Sequence, residues 1–189
     1  DGSITYELVT ERYNSDLANI LGNLVSRTMA MAKKYFSSKV SYKGSFFKEE
    51  AELKNALELM KENVRKHMDS LHVGDAIEDI IIALRRANKY IDETTPWALA
   101  KDENKKTRLA TVLYNLLESI RISSIMLEPF MPQTMPEIWK RIGAGAEETS
   151  WESIHQFGGL KADTTVGEGA PLFPRINIEK ELEELASVA

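Results

Sequence analysis

Apolar residues recur at spacings of three and four along most of this 189-residue chain. The longest such run comes before Pro129 and contains Leu109, Val112, Leu113, Leu116, Leu117, Ile120 and Leu127. This spacing places apolar side chains on one face of an α-helix. No stretch alternates with period two for long enough to predict a sheet. The chain is therefore constrained to bury helical faces against one another.

Several residues that favour helix ends mark the boundaries of these helices. Asn14–Ser15 offers a cap for the long helix that follows it, and Asp75 offers a cap for a later one. Pro96 suits the first turn of a new helix, because the backbone N–H that it lacks would be unpaired there. Gly143 predicts the end of a further helix. The polar residues 37–44 predict a loop.

Four long amphipathic helices with short connections predict an all-α fold, an antiparallel helix bundle over residues 1–143. Residues 144–189 have a different character. The run from Gly143 to Ile176, which we call the strap, is rich in Gly, Thr and Ala and predicts an irregular surface segment. Glu179 to Val188 predicts a short final helix. We expect both to pack on or beside the bundle as part of the same domain.

The composition argues against several kinds of site. The chain has no cysteine, which excludes disulfides and thiolate metal ligands. His67 and His72 are five residues apart and His155 is remote, so no metal site is predicted. There is no Gly-rich phosphate loop and no nucleophile with an evident base, and no catalytic residue is predicted. The absence of a membrane-length apolar run or a signal peptide favours a cytoplasmic protein without a membrane partner.

The charge is unevenly distributed along the chain. The net charge is −5, and residues 144–189 contribute nine acids and three bases, which leaves residues 1–143 close to neutral at +1. A protein that binds nucleic acid mainly through phosphates is usually much more basic. If this chain binds RNA, we expect it to use a few stacking and hydrogen-bonding residues, with most of the affinity supplied elsewhere.

A small set of residues has the chemistry to recognise an unstacked base. Asn23 and Arg27 share one helical face and offer an amide and a planar fork of donors. Trp97, after Pro96 at a helix corner, offers a ring for stacking, worth roughly 1–3 kcal/mol per base. The residues alone leave another interpretation open: a helical interaction module without an RNA role, in which Trp97 completes the core and the other two form a solvated face.

Four segments resemble a known family, in the same order along the chain. Arg12 to Arg27, Asp92 to Lys101 and Pro129 to Trp139 are similar to parts of the anticodon-binding domain of methionyl-tRNA synthetases. Pro171 to Ile176 extends the resemblance over nearly the whole chain. The third segment is shared with other class I synthetases, whereas the combination of candidate residues above is typical of the methionine enzymes.

The resemblance implies a function for each candidate residue. In that family the residue matching Trp97, supported by the one matching Pro96, packs against the anticodon. The residues matching Asn23 and Arg27 contact anticodon bases. The implied ligand is the CAU anticodon of methionine tRNA, held for a parent ligase that attaches methionine using ATP. The alternative within the class is the anticodon domain of a leucine, isoleucine or valine synthetase.

The resemblance also implies what this chain does not carry. The signatures of the fold that makes methionyl-adenylate are absent, so we expect the chain to be a fragment that performs no chemistry. ATP, methionine and any zinc are expected to bind the catalytic portion of the parent. The expected partners are the methionine tRNA anticodon loop and the parent's catalytic domain, and the fragment is expected to be monomeric.

Overall fold

The computed structural model describes residues 4–42 and 48–181. The N-terminal helix consists of α1 (Tyr6–Arg12), a π-helical segment (Tyr13–Gly22) and α2 (Asn23–Phe36). The other long helices of this part are α3 (Lys48–Asp69), α4 (Val73–Thr94) and α6 (Lys106–Leu127). The shorter elements are α5 (Pro96–Leu99), α7 (Met135–Ile142), three 3₁₀ turns (Glu103–Lys105, Glu147–Thr149 and Trp151–His155) and two strands, β1 (Lys39–Ser41) and β2 (Asp163–Thr165). The predicted all-α helix bundle is confirmed.

Helix α6 lies at the centre of the bundle. Every residue from Leu109 to Leu127 is buried, because α2, α3, α4 and α7 all pack around this helix and the strap covers what remains. A helix that is buried all round carries polar residues only where each finds a partner. The spacing of its apolar residues predicted one buried face, and the structure buries every face.

The first helix differs from the predicted one at Asn14–Ser15. The prediction of a helix cap there is wrong, because α1, the π-helical segment and α2 form one uninterrupted helix from Tyr6 to Phe36. Asn14 binds the strap instead: its Nδ2 donates to the carbonyl of Ile176 at 2.8 Å, and its Oδ1 accepts from the N–H of Ile176 at 2.9 Å. The amide that would have capped a helix holds a distant segment of chain.

The other helix boundaries agree with the sequence in part. Helix α4 begins at Val73, and Asp75 lies in its first turn rather than at its cap, where a carboxylate still favours the helix N-terminus. Pro96 begins α5 as predicted. Gly143 ends α7 with φ of 72°, a left-handed conformation that glycine adopts without strain.

A short two-stranded ribbon replaces part of the predicted loop at residues 37–44. Strand β1 pairs antiparallel with β2, with Val40 opposite Thr164, and both of these side chains are buried. A strand of three residues is too short for a period-two pattern to stand out. The ribbon arises from a pairing between segments more than 120 residues apart.

A buried ion pair holds the strap to α6. Glu118 and Arg121 are fully buried, with Glu118 Oε1 2.6 Å from Arg121 Nη2. Arg121 Nη1 donates to the carbonyl of Glu148 at 2.7 Å, and Glu118 accepts from the backbone N–H groups of residues 158–160. The predicted boundary between residues 143 and 144 stays a prediction.

The C-terminal part of the chain lies partly outside the described residues. Residues 178–181 are helical, and the backbone N–H of Lys180 donates to the side chain of Asn177 at 3.2 Å. The remainder of the predicted helix from Glu179 to Val188 lies outside the described residues. Among the helices that are described, none combines the length and the apolar character needed to cross a membrane.

Candidate nucleic-acid interface

The corner between α4 and α6 presents Trp97 to solvent. Helix α4 ends when Thr95 takes a left-handed conformation, with φ of 43° and ψ of 63°, and its N–H donates to the carbonyl of Ile91 at 3.0 Å. Pro96 then begins α5 with its ring buried. Trp97 follows and remains 45% exposed. The indole is therefore not a member of the core.

Arg27 connects this corner to the long N-terminal helix. Its Nη2 atom lies 3.1 Å from Asp92 Oδ1, and Asp92 precedes Trp97 by five residues. The Arg27 side chain is 33% exposed and that of Asp92 is 66% exposed. Because the ion pair joins α2 to the last turns of α4, Arg27 lies on the side of the bundle that carries the Trp97 corner.

Asn23 lies one helical turn before Arg27 and is exposed. It lines a groove of about 410 Å³ between the first helix and the strap. Asn19, Ser26 and Arg175 line the same groove, and Arg175 forms no ion pair with any described residue. The groove thus carries two amides, a hydroxyl and a guanidinium, which can donate to and accept from a polar ligand.

The structure brings further residues to this surface that the sequence interpretation missed. Asn19 and Ser26 are four residues before and three residues after Asn23, so helical spacing could have found them. Asp92 could not be found this way, because it is 65 residues from Arg27 in sequence.

The floor of the groove depends on a close approach between Gly22 and Phe173. A Cβ atom at Gly22 would lie 3.4 Å from Phe173 and 3.1 Å from the carbonyl of Leu17. Phe173 also packs edge-on against Tyr13, with ring centroids 6.2 Å apart. Gly22 therefore lets the strap lie close to the helix beside Asn23.

An ion-pair cluster on the same helix sets its position against α4. Asp16 forms ion pairs with Arg12, at 3.0 Å, and with Arg85 of α4, at 3.4 Å, and Glu78 pairs with both arginines. Hydrogen bonds from Arg85 and then from Arg12 hold the pKa of Glu78 below its usual value. This cluster fixes the π-helical segment on α4, upstream of the contact between Arg27 and Asp92.

The predicted site residues therefore lie on neighbouring elements. Arg27 is connected to the Trp97 corner through Asp92, and Asn23 is one turn away from Arg27 on the side of the strap. Pro96 is buried beneath the corner. Among the described residues, no group of three His, Cys, Asp or Glu side chains is arranged to hold a metal ion.

Known proteins resemble this chain over most of its length. A family model described as the anticodon binding domain of methionyl tRNA ligase matches residues 40–186. The methionine–tRNA ligases of Caldanaerobacter subterraneus subsp. tengcongensis and Clostridium tetani are each 46% identical to it, over 185 and 188 residues. The free-state crystal structure of Mycobacterium tuberculosis methionyl-tRNA synthetase superposes with a TM-score of 0.86 at 32% identity, covering 94% of this chain and 36% of that one.

The lengths of these proteins place the match within larger ligases. The two bacterial ligases align with 98% and 100% of this chain, and the chain spans 29% of the length of each. The resemblance identified from the sequence is confirmed by the family match, by these identities and by the shared fold. The chain belongs to the family of methionyl-tRNA ligase anticodon-binding domains.

Proposed function

We propose that this chain binds the anticodon loop of methionine tRNA and recognises its CAU anticodon. The observation that carries the proposal is the half-exposed indole of Trp97 at a corner joined to Arg27 through Asp92. A large ring that the core does not bury is available to stack on a base. A helical interaction module that uses Trp97 as core would instead have buried the ring.

The neighbouring polar groups supply hydrogen bonds to base edges. Arg27 has five N–H donors, and its Nη2 donates to Asp92. The remaining donors can reach a ligand. Asn23 can both donate and accept, as the Watson–Crick edges of bases require. Stacking on Trp97 with edge contacts to Arg27 and Asn23 is the usual way in which proteins recognise unpaired bases in RNA loops.

The charge of the chain bears on which part of the ligase contacts the RNA phosphates. With a net charge of −5, the chain is poorly suited to bind RNA through phosphates. The rest of the ligase would then supply most of the backbone contacts. We also propose that ATP and methionine, with any zinc, bind that other portion, and that this chain places the tRNA without performing chemistry itself.

A substitution of Trp97 tests the proposal directly. The Trp97→Ala variant should bind a methionine anticodon stem-loop roughly 5- to 150-fold more weakly, because a base loses a stacking contact of about 1–3 kcal/mol. Trp151→Ala is the matched control: Trp151 is 51% exposed, close to the 45% of Trp97, and it lies on a 3₁₀ turn outside this site. Binding of the control should stay within about twofold of the wild type.

The same titration separates the alternatives. A methionine-specific domain should lose affinity when any base of CAU is replaced, whereas the domain of a leucine, isoleucine or valine synthetase should not depend on CAU. Equal binding by Trp97→Ala and the wild type would contradict the assignment of the site. Absence of any RNA binding by the wild type, in this chain and in the complete ligase, would favour the helical interaction module.

A further inference from the structure

Two helix ends meet at a single buried carboxylate oxygen. The hydroxyl of Tyr90, near the end of α4, donates to Glu50 Oε1 at 2.5 Å, and Arg108 Nη1, in the first turn of α6, lies 2.5 Å from the same oxygen. Glu50 belongs to the first turn of α3. A residue of a third helix therefore joins the two helices on either side of the Trp97 corner.

The surroundings of this oxygen make the contacts costly to lose. Glu50 is 1% exposed and Tyr90 is fully buried. Asn115 of α6 also donates to the Tyr90 hydroxyl, at 3.3 Å. Burial, and then the hydrogen bond to Glu50, raises the pKa of Tyr90. A buried carboxylate needs such donors, because it is expensive to keep charged without them.

Two separate hydrogen bonds order the segment between Tyr90 and the corner. The Thr94 hydroxyl donates to the Tyr90 carbonyl at 2.6 Å. Thr95 follows in its left-handed conformation, and its carbonyl accepts from the N–H of Ala98 at 2.8 Å. Trp97 lies between Thr95 and Ala98, so its position depends on where α4 ends, four residues after Tyr90.

We propose that Glu50 is a positioning residue for RNA recognition, because its carboxylate ties both ends of the segment that carries Trp97. The part of this inference that concerns RNA recognition rests on the proposed function, whereas the part that concerns the position of Trp97 does not. Stability alone does not call for an ion pair here, since well-packed apolar residues often replace buried ion pairs at no cost. The network of Glu50, Tyr90 and Arg108 adds a fixed geometry for the two helix ends. A binding site works only when its contact groups are held closely in place.

The test removes one oxygen atom from the network. Tyr90→Phe keeps the ring in the core and deletes the hydroxyl that binds Glu50. Tyr114→Phe is the matched control, because Tyr114 is also a buried tyrosine of the core and its hydroxyl also donates one hydrogen bond of 2.5 Å, to the carbonyl of Leu160 in the strap. Glu50→Gln is the second variant, which keeps the size of the side chain and removes its charge.

Two measurements are made on each variant. The first is ¹⁹F NMR of the chain labelled with 5-fluorotryptophan, in which Trp139 and Trp151 serve as internal references for Trp97. The second is affinity for a methionine anticodon stem-loop. We expect Tyr90→Phe and Glu50→Gln to shift or broaden the Trp97 resonance and to weaken binding roughly 3- to 10-fold, because a ring that is held less firmly keeps only part of its stacking contact with a base. Tyr114→Phe should leave the Trp97 resonance in place and the affinity within about twofold.

The outcomes separate this inference from the proposed function. If both network variants keep the wild-type Trp97 resonance and RNA affinity while their melting temperatures fall as far as that of Tyr114→Phe, the network only stabilises the fold and the inference is wrong. If the wild type itself does not bind the stem-loop, the proposed function fails, and the Trp97 resonance still decides whether Glu50 positions the ring. Should Tyr90→Phe not fold, Glu50→Gln decides.

Discussion

At the scale of single residues, Thr95 shows how the candidate site is made. A β-branched residue with φ of 43° is rare, and such a conformation costs about 1–3 kcal/mol. Thr95 lies between the buried Pro96 and Thr94, whose hydroxyl donates to the carbonyl of Tyr90. Because the left-handed turn ends α4 at once, Trp97 leaves the bundle on its surface rather than continuing into the core.

The glycines of the strap provide a prediction at the same scale. A Cβ atom on Gly159 would lie 2.7 Å from Nη2 of the buried Arg121. We expect Gly159→Ala to lower the free energy of unfolding by about 2–4 kcal/mol, because the guanidinium must move away from Glu118. Urea titration followed by circular dichroism measures the change.

Gly74 offers the matched control for that substitution. It lies in the first turn of α4, and a Cβ atom added there would meet no atom of the described residues within 4 Å. Gly74→Ala should therefore be neutral or stabilise the fold by about 0.4–1 kcal/mol. Equal losses in the two variants would show that the space beside Arg121 does not limit the strap.

The candidate residues differ in how far the sequence could identify them. The chemistry of Asn23 and Arg27 permits base recognition, yet the same residue types are common on solvated helix faces. Only the family resemblance distinguished the two interpretations. The ion pair of Arg27 with Asp92 and the buried contacts of Glu50 depend on segments that are distant in sequence, which no local pattern encodes.

At the scale of elements, the N-terminal helix shows why a local signal was misinterpreted. Asn and Ser favour helix caps because their side chains bind nearby backbone groups. At Asn14 the partner is the backbone of Ile176, which is 162 residues away. Ser15 meanwhile donates to the carbonyl of Arg12 inside the same helix. The chemistry expected of Asn14 is thus present, but its partner lies in another element.

This difference gives a prediction that separates the two roles. Asn14→Ala should lower the free energy of unfolding by about 1–2 kcal/mol, since both hydrogen bonds to Ile176 are lost. It should also speed hydrogen exchange of the Ile176 amide. Ser15→Ala is the control and should cost less than about 0.5 kcal/mol. If Asn14–Ser15 acted as a helix cap, the exchange of Ile176 would not respond to either change.

The long helices were predictable and the ribbon was not. Stripes of apolar residues identified α2, α3, α4 and α6, because each helix buries a continuous face. The pairing of β1 with β2 has no such signal, since each strand contributes a single buried side chain, Val40 and Thr164. The apolar spacing also could not predict that α6 is buried on every side, because this burial depends on the strap.

At the scale of the whole molecule, two buried tyrosines make the fold sensitive to alkali. Burial is the main cause that raises the pKa of both Tyr90 and Tyr114, followed by the hydrogen bond to Glu50 for the first and the charge of Glu118 for the second. The unfolded chain therefore ionises first as the pH rises. Their contribution to stability is complete below about pH 10 and is lost progressively above it.

The expected result is a change in the slope of stability against pH. The free energy of unfolding of the wild type should fall more steeply from about pH 10 to about pH 12 than that of Tyr90→Phe or Tyr114→Phe, because phenylalanine has no proton to lose. Urea titrations at each pH provide the measurement. Parallel curves for the three proteins would contradict the role of these phenols.

The length of the π-helical segment determines the direction in which the side chains after it point around the helix axis. An α-helix turns by roughly 100° per residue. Inserting or deleting one residue between Tyr13 and Gly22 would therefore swing Asn23 and Arg27 around the helix axis, away from the groove and from Asp92, with each side chain itself unaltered. The length of this segment is as much a determinant of the recognition surface as the residues that face the ligand.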